Sequence, residues 1–402
     1  MAIDPVLEGG TGRWQVCAGV TERKQACVKT FTGRVEGGIL GTVRPAGGSD
    51  QPPSPALPAP GPYGRRVTFT DRLPWRVAME RALYGPGGFF VSGAGPAAHF
   101  RTSVHASPLF ASALFRLLSQ VDVALGHPAR LDLMDVGAGR GELLSALAGH
   151  AGRSSLADRL RLTAVERAGR PADLPEEIDW VGSVPSGITG LLLATEWLDN
   201  VPLDVAVWAE DGWRYVLVDP TTGEESIGDE VRGDDADWLT TWWSAPAAGT
   251  RAEIGRTRDE AWADAVGRID RGGALAVDYG HLRGDRPVDG SLTGYRGGRQ
   301  VGPVPDGSCD VTAHVAMDSV ASAGERVARC AYTLISQREG LRALGADGGR
   351  PPLSLAASDP AGYVRALAAA SAVAELTDPA GLGGHWWLLQ PVGVALGPLM
   401  AR

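Results

Sequence analysis

The chain has 402 residues, enough for one large core or two small ones, and its 44% hydrophobic and 21% charged content is that of a soluble globular protein. A formal net charge of −9 argues against the basic surface of a nucleic-acid binder. No apolar run reaches the roughly 18 residues of a membrane span, and the N-terminus lacks the apolar core of a secretory signal. The four cysteines, at 17, 27, 309 and 330, form no close-spaced metal or disulfide pattern, so a reducing cytoplasm and no metal site are expected.

Residues 1–66 lack sustained periodicity, and the proline-rich run 52–62 cannot pack as helix or sheet. Both lysines of the chain, Lys24 and Lys29, lie in this arm, and every later basic side chain is an arginine. A disordered arm is expected, with the true start near Val67. A folded body of residues 67–402 follows, its N-terminal part, 72–125, helical. Trp75, Met79, Ala82 and Leu83 recur at helical spacing until Gly85-Pro-Gly-Gly88 stops them. Leu109, Phe110, Ala113, Leu114, Leu117 and Leu118 give a second amphipathic helix.

The organising stretch is Leu131-Asp-Leu-Met-Asp-Val-Gly-Ala-Gly-Arg-Gly-Glu-Leu-Leu144. A buried strand, a glycine turn and a helix in that order open a nucleotide-type α/β fold. Dinucleotide sites favour G-x-G-x-x-G, with a pyrophosphate on the helix N-terminus. Here Gly137, Gly139 and Gly141 give G-x-G-x-G, with Asp135 just before them. That variant suits S-adenosyl-L-methionine, which has no phosphate to cradle. A second strand, 160–165, ends at Glu166, near the spacing at which a carboxylate meets a ribose; a solvated loop glutamate is the plainer alternative.

Trp180-Val181 marks a short third strand, and Gly190-Leu-Leu-Leu-Ala-Thr195 a fourth, buried on both faces, that runs into Glu196-Trp-Leu-Asp-Asn-Val-Pro202. Two runs around Glu210-Asp-Gly212 predict a hairpin. Residues 221–250 read as acidic and irregular, with Trp238, Trp242 and Trp243 covering core. A helix is expected over Ala261–Ile269, a fifth strand over Gly273–Val277, a glycine-rich stretch over 281–308, a helix over about 336–344 and a last strand over Trp386–Leu389.

Six segments together resemble the MidA-like methyltransferase family. They are Ala82–Phe90, Phe100-Arg-Thr-Ser103, Asp135–Gly141, Glu196–Pro202, Val277-Asp-Tyr-Gly280 and Gly307–Val315, in matching order over about 72–395. The resemblance implies a class I, Rossmann-like methyltransferase sheet with an N-terminal helical cap and inserted substrate-side segments at about 203–250 and 281–330. It also implies S-adenosyl-L-methionine as cofactor. Mitochondrial members of that family assist assembly of respiratory complex I by methylating an arginine of one of its subunits, so a protein substrate is implied.

Asp135, Gly137, Gly139, Gly141 and Glu166 are then the cofactor candidates. Glu196 and Asp199 are the catalytic candidates, orienting a guanidinium, although Asp199 also reads as a helix N-cap. Thr102, Ser103, Asp278, Tyr279, Asp310 and His314 are the substrate-side candidates. His314 reads first as a satisfied structural histidine and second as a base, and Tyr279 first as packing or a cofactor-edge contact. The sequence departs from the family pattern at Ala98, His99, Val104 and His105, where Gly, Asp, Pro and Glu are usual. Thr195 replaces a usual Asn, and glycine stands for a usual histidine near Gly297-Gly298. Three readings follow: a protein-arginine methyltransferase, a methyltransferase of a small molecule, and a cofactor-binding assembly factor without turnover. A nicotinamide dehydrogenase fits least, because the third glycine is misplaced.

Overall fold

A computed structural model describes residues 72–92, 102–243, 247–346 and 348–397, all within the compact unit Val67–Arg402. The arm expected over 1–66 lies outside the described residues, as do Ala98 and His99. The core is a seven-stranded sheet: β1 (Leu131–Val136), β2 (Leu160–Val165), β3 (Ile178–Val181), β4 (Ile188–Thr195), β5 (Ile269–Asp278), β6 (Thr333–Ser336) and β7 (Trp386–Val392). Their spatial order is β6-β7-β5-β4-β1-β2-β3. β1 to β5 pair in parallel, whereas β7 is antiparallel to both β5 and β6. This is a mixed α/β sheet of the Rossmann-like kind that the resemblance implies.

Alternate residues of the buried strands feed opposite faces. Leu131, Leu133, Leu191, Leu193, Leu275 and Val277 pack against the helices Pro108–Ala124 and Glu142–Ala151. Met134, Val136, Leu192, Ala194, Ala274 and Ala276 pack against Arg256–Gly267 and Met317–Ala328. Helices on both faces of parallel strands explain the near-continuous apolar runs.

Between β4 and β5 the chain builds a second, five-stranded sheet from 204–209, 212–218, 225–230 and 251–254, with Leu73–Pro74 joining 212–218. The predicted hairpin is here, closing with Ala209 opposite Gly212. The N-terminal helix Trp75–Tyr84 packs on this sheet: Trp75, Met79 and Leu83 share a core with Val205, Val216, Val218 and Val311. The Trp75 indole N–H donates to Glu225 Oε1 at 2.8 Å.

Several local expectations need correction. Residues 221–250 are not irregular, because Glu225–Glu230 is an edge strand and Asp234–Trp242 a helix. That helix is anchored by Leu239 and by Trp238, whose indole N–H bonds the Asp259 carboxylate at 2.8 Å. The helix expected over Ala261–Ile269 starts at Arg256 and stops at Gly267, and Ile269 already opens β5. Residues 281–308 contain the strands Thr293–Arg296 and Arg299–Val301, paired antiparallel. Helices Met317–Ala328 and Pro360–Leu376 were not anticipated. The first is built from small residues: a Cβ on Gly324 would stand 2.5 Å from the Trp262 indole nitrogen, so close helix packing replaces a stripe of large apolar side chains.

Candidate functional site

Strand order changes direction between β1 and β4, and ligands of open α/β sheets bind outside the carboxyl ends of strands at that switch. Register puts the four strand ends on one edge. Val136 pairs with Val165 and with Ala194, and Thr195 pairs with Val277. Gly137, Glu166 and Glu196 leave the sheet there, and Asp278 is the last residue of β5. A cavity of about 1110 Å³ opens over this edge, lined by Asp135, Gly137, Gly139 and Glu166 on one side and by Glu196, Asp199, Tyr279, Asp310 and His314 on the other. Among the described residues, no group of three or more His, Cys, Asp or Glu side chains is arranged to hold a metal ion.

The glycine turn is left-handed at Gly137 (φ 72°) and Gly139 (φ 59°), where a side chain would be strained. A Cβ on Gly137 would meet Trp197 Cδ1 at 2.9 Å, whereas one on Gly139 would find only Glu142 Oε2 at 3.6 Å and would otherwise occupy ligand space. Gly141 plays a different part. It precedes the helix Glu142–Ala151, and a Cβ there would strike Leu174 at 2.5 Å, so it serves packing and does not line the cavity.

The Glu166 carboxylate is fixed by three backbone amides: Gly139 N donates at 3.1 Å, Arg167 N at 2.7 Å and Ala168 N at 3.1 Å. Asp135 is 2% exposed, and its Oδ1 has no hydrogen-bond partner among the described residues. Burial, then the nearby Glu166 and Glu142, push its carboxyl up to about 8. An orphaned, buried carboxylate oxygen beside an open glycine backbone fits a ligand that brings a cation. S-adenosyl-L-methionine has such a group in its ammonium, and no phosphate.

On the other side Glu196 has φ 51°, a left-handed conformation that costs a non-glycine residue of order 1–3 kcal/mol and clusters at functional sites. Its amide donates to Val277 O at 2.8 Å, and its Oε1 accepts from Ser103 N at 3.2 Å. Burial, then the charge of Asp199, push the Glu196 carboxyl up to about 7. Asp199 lies in the short turn Leu198–Asn200, and its carboxylate caps no helix. Oδ2 accepts from the Tyr279 hydroxyl and from the Thr312 hydroxyl at 2.8 Å, while Oδ1 has no partner among the described residues. Burial raises its carboxyl, and the Tyr279 and Thr312 hydroxyls oppose that shift.

Not every substrate-side candidate reaches the cavity. Asp278 is fully buried beneath it: Oδ2 accepts from Leu198 N at 3.0 Å and Asp199 N at 3.2 Å, and Oδ1 from Tyr279 N at 3.0 Å. It braces the turn that carries Asp199. Ser103 is likewise buried, with its hydroxyl 3.2 Å from Gln337 Oε1. Thr102, Tyr279, Asp310 and His314 do line the cavity. Asp310 accepts from Asn200 Nδ2 at 2.8 Å, and burial holds its carboxyl well above the usual range. The His314 ring stands edge-on to Tyr279, centroids 5.2 Å apart, and burial lowers its imidazole.

Among the lining residues that escaped the sequence reading as site residues are Tyr84, Asn200, His105 and His385. Tyr84 donates its hydroxyl to Asn200 O at 3.2 Å and carries the Arg167 guanidinium 4.5 Å over its ring. It ties the N-terminal helix to both halves of the site. His385 lies 5.6 Å from Tyr279, and burial pushes it down to about 4. Tyr84, Asn200 and His105 sit in or beside the recognised segments, whereas His385 follows a Gly-Gly turn and has no sequence signal of its own.

A family model described as "Putative S-adenosyl-L-methionine-dependent methyltransferase" matches residues 113–335. Among solved structures, a Burkholderia thailandensis protein described as a "likely methyl transferase", bound to S-adenosyl-homocysteine, is 25% identical with a TM-score of 0.69. The match covers 86% of this chain and 98% of that one. A native crystal structure of a Burkholderia thailandensis protein from the same superfamily matches at 25% identity and TM-score 0.66, covering 86% and 97%. A search of curated proteins finds no match.

Proposed function

The chain belongs to this family of S-adenosyl-L-methionine-dependent methyltransferases, and from that premise we propose that it methylates an arginine side chain of a protein. The observation that carries the reading is the pair of carboxylates following β4. Glu196 and Asp199 both face the cavity, and Asp199 Oδ1 has no partner among the described residues. The MidA-like resemblance supports the same reading and makes a respiratory-complex subunit the first target to try.

When bound, the cofactor supplies an electrophilic methyl group, so the protein's share is orientation and electrostatics. Asp135 Oδ1 would receive the cofactor ammonium, Gly137 and Gly139 would let the backbone approach, and Glu166 would accept hydrogen bonds from the ribose hydroxyls. A guanidinium is protonated at any ordinary pH, so its nitrogen attacks poorly until carboxylates orient it. At about 4 Å and an effective dielectric near 20, one carboxylate–guanidinium pair contributes roughly 4 kcal/mol before desolvation. The nitrogen that gains a carbon must give up a proton, and Glu196, held near 7 in the empty site, is the acceptor. Tyr279 and Thr312 fix Asp199 through its other oxygen.

The test is incubation of the protein with methyl-labelled cofactor and a cell extract. A labelled protein band whose hydrolysate contains methylated arginine is expected. Label confined to a small molecule, or no label at all, would contradict the assignment.

A further inference from the structure

Residues 102–106 form a short turn that crosses from one half of the site to the other. At one end Ser103 N donates to Glu196 Oε1 at 3.2 Å. At the other, His105 Nε2 lies 3.6 Å from Glu142 Oε1, while Glu142 Oε2 accepts from Arg140 N, inside the glycine turn, at 3.0 Å. The imidazole is held in place by Thr102 Oγ1, 2.7 Å from Nδ1. Thr102, Val104 and His105 all line the cavity alongside Gly139, Arg140, Glu142 and Leu143. His105 is also a position at which the sequence departs from the family pattern, which has an acid there.

We propose that His105 is a positioning residue: paired with Glu142, it latches the 102–106 turn over the bound cofactor and thereby holds the Ser103 amide on Glu196. The part that concerns Glu196 rests on the role assigned to that carboxylate above. The latch holds while the imidazole carries its proton. Hydrogen bonding to Glu142 raises its titration above the ordinary histidine value, burial opposes that rise, and the charges of Glu142 and Glu196 add to it, so the ion pair is present below the raised value and is lost as pH rises through it. Helices Pro108–Ala124 and Pro360–Leu376 also pack on the turn. Their charged residues Arg116, Asp122, Arg365 and Glu375 are not among those that shift the imidazole.

A part-exposed pair of this kind changes an affinity about two- to fivefold. The experiment is calorimetry with S-adenosyl-homocysteine on wild type, His105→Gln and His105→Lys, from about pH 6 to about pH 9. Asp135 titrates in the opposite sense, so the quantity read is the ratio of dissociation constants, variant to wild type, at each pH. For His105→Gln the ratio should be about two to five at low pH and fall to about one at high pH. His105→Lys, charged throughout, should match wild type at low pH and bind tighter at high pH. In a Glu196→Gln background the pH dependence of the ratio should persist with its midpoint moved to lower pH, because the latch to Glu142 remains while one charge that raises the imidazole is gone. A ratio independent of pH for both His105 variants would overturn the proposal. Because the readout is cofactor-product binding, it stands apart from the substrate role of Glu196, which fails only if Glu196→Gln transfers methyl groups normally.

Discussion

Glu166→Ala is the perturbation whose size the structure lets us work out most fully. Its carboxylate accepts three backbone amides, from Gly139, Arg167 and Ala168, and so does two things at once. As proposed, it offers its remaining lone pairs to the ribose hydroxyls, and it holds Gly139 N in the left-handed turn. Losing one hydrogen bond to a charged acceptor costs about 1.5–3 kcal/mol, or roughly 10- to 150-fold in affinity. The Gly139 amide, left to water, adds to the loss. Glu166→Gln should fall between wild type and alanine: one amide oxygen still accepts, but its NH₂ must face a backbone N–H. The assay is calorimetry with S-adenosyl-homocysteine, with melting temperature measured in parallel. Affinity within about twofold of wild type for the alanine variant, at unchanged stability, would refute the assignment of Glu166 to the ribose.

Other outcomes follow from the same geometry. Because the Asp135 carboxyl titrates near 8 when folded and near 4 when unfolded, the folded protein binds the extra proton between those values. The stability of the cofactor-free protein should therefore fall as pH rises through that window. Asp135→Asn should flatten that fall and weaken cofactor-product binding, which urea unfolding at several pH values and calorimetry check. Asp199→Asn, which keeps an acceptor for the Tyr279 hydroxyl but not the charge, should lower single-turnover methyl transfer by about tenfold or more, close to 1.4 kcal/mol, with cofactor affinity preserved. We also propose that residues 1–66 are dispensable: a chain starting at Val67 should match the full chain in melting temperature and cofactor-product affinity, and a large drop in either would show the arm to be structural.

Much of the central sheet was legible because its strands are buried on both faces. Gly190–Thr195 and Gly273–Val277 carry uninterrupted apolar runs opened by glycine; the structure extends the first by two residues at its start and the second by four at its start and one at its end. The elements that were missed lack such contrast. Met317–Ala328 packs through Ala and Gly against Trp262, and Pro360–Leu376 buries only Val373 and Leu376, so neither shows a stripe of large apolar residues. Glu225–Glu230 is an edge strand whose one large apolar residue, Ile227, points to solvent. At the site, the residue types were readable but their depth was not. Asp278 and Asp199 follow similar strand ends, yet Asp278 is buried under the turn as an acceptor for its amides, while Asp199 reaches the cavity. The N-cap reading of Asp199 failed because the segment after β4 is a single short turn braced from below by Asp278. The contact of Ser103 with Glu196 depends on a turn 93 residues away in sequence, which no local pattern encodes.

Orientation of the methyl acceptor by the carboxylate following β4 is the role we propose for Glu196. Its most direct test is single-turnover methyl transfer by Glu196→Gln to the identified protein target, with cofactor saturating. The amide is nearly isosteric and can still accept from Ser103 N, so fold and cofactor affinity should persist. Without the charge it can neither offset the guanidinium nor take up its proton, and the rate should fall about 10²-fold or more, roughly 2.7 kcal/mol of transition-state stabilisation. A rate near that of the wild type would make Glu196 structural and refute its role in orienting the acceptor.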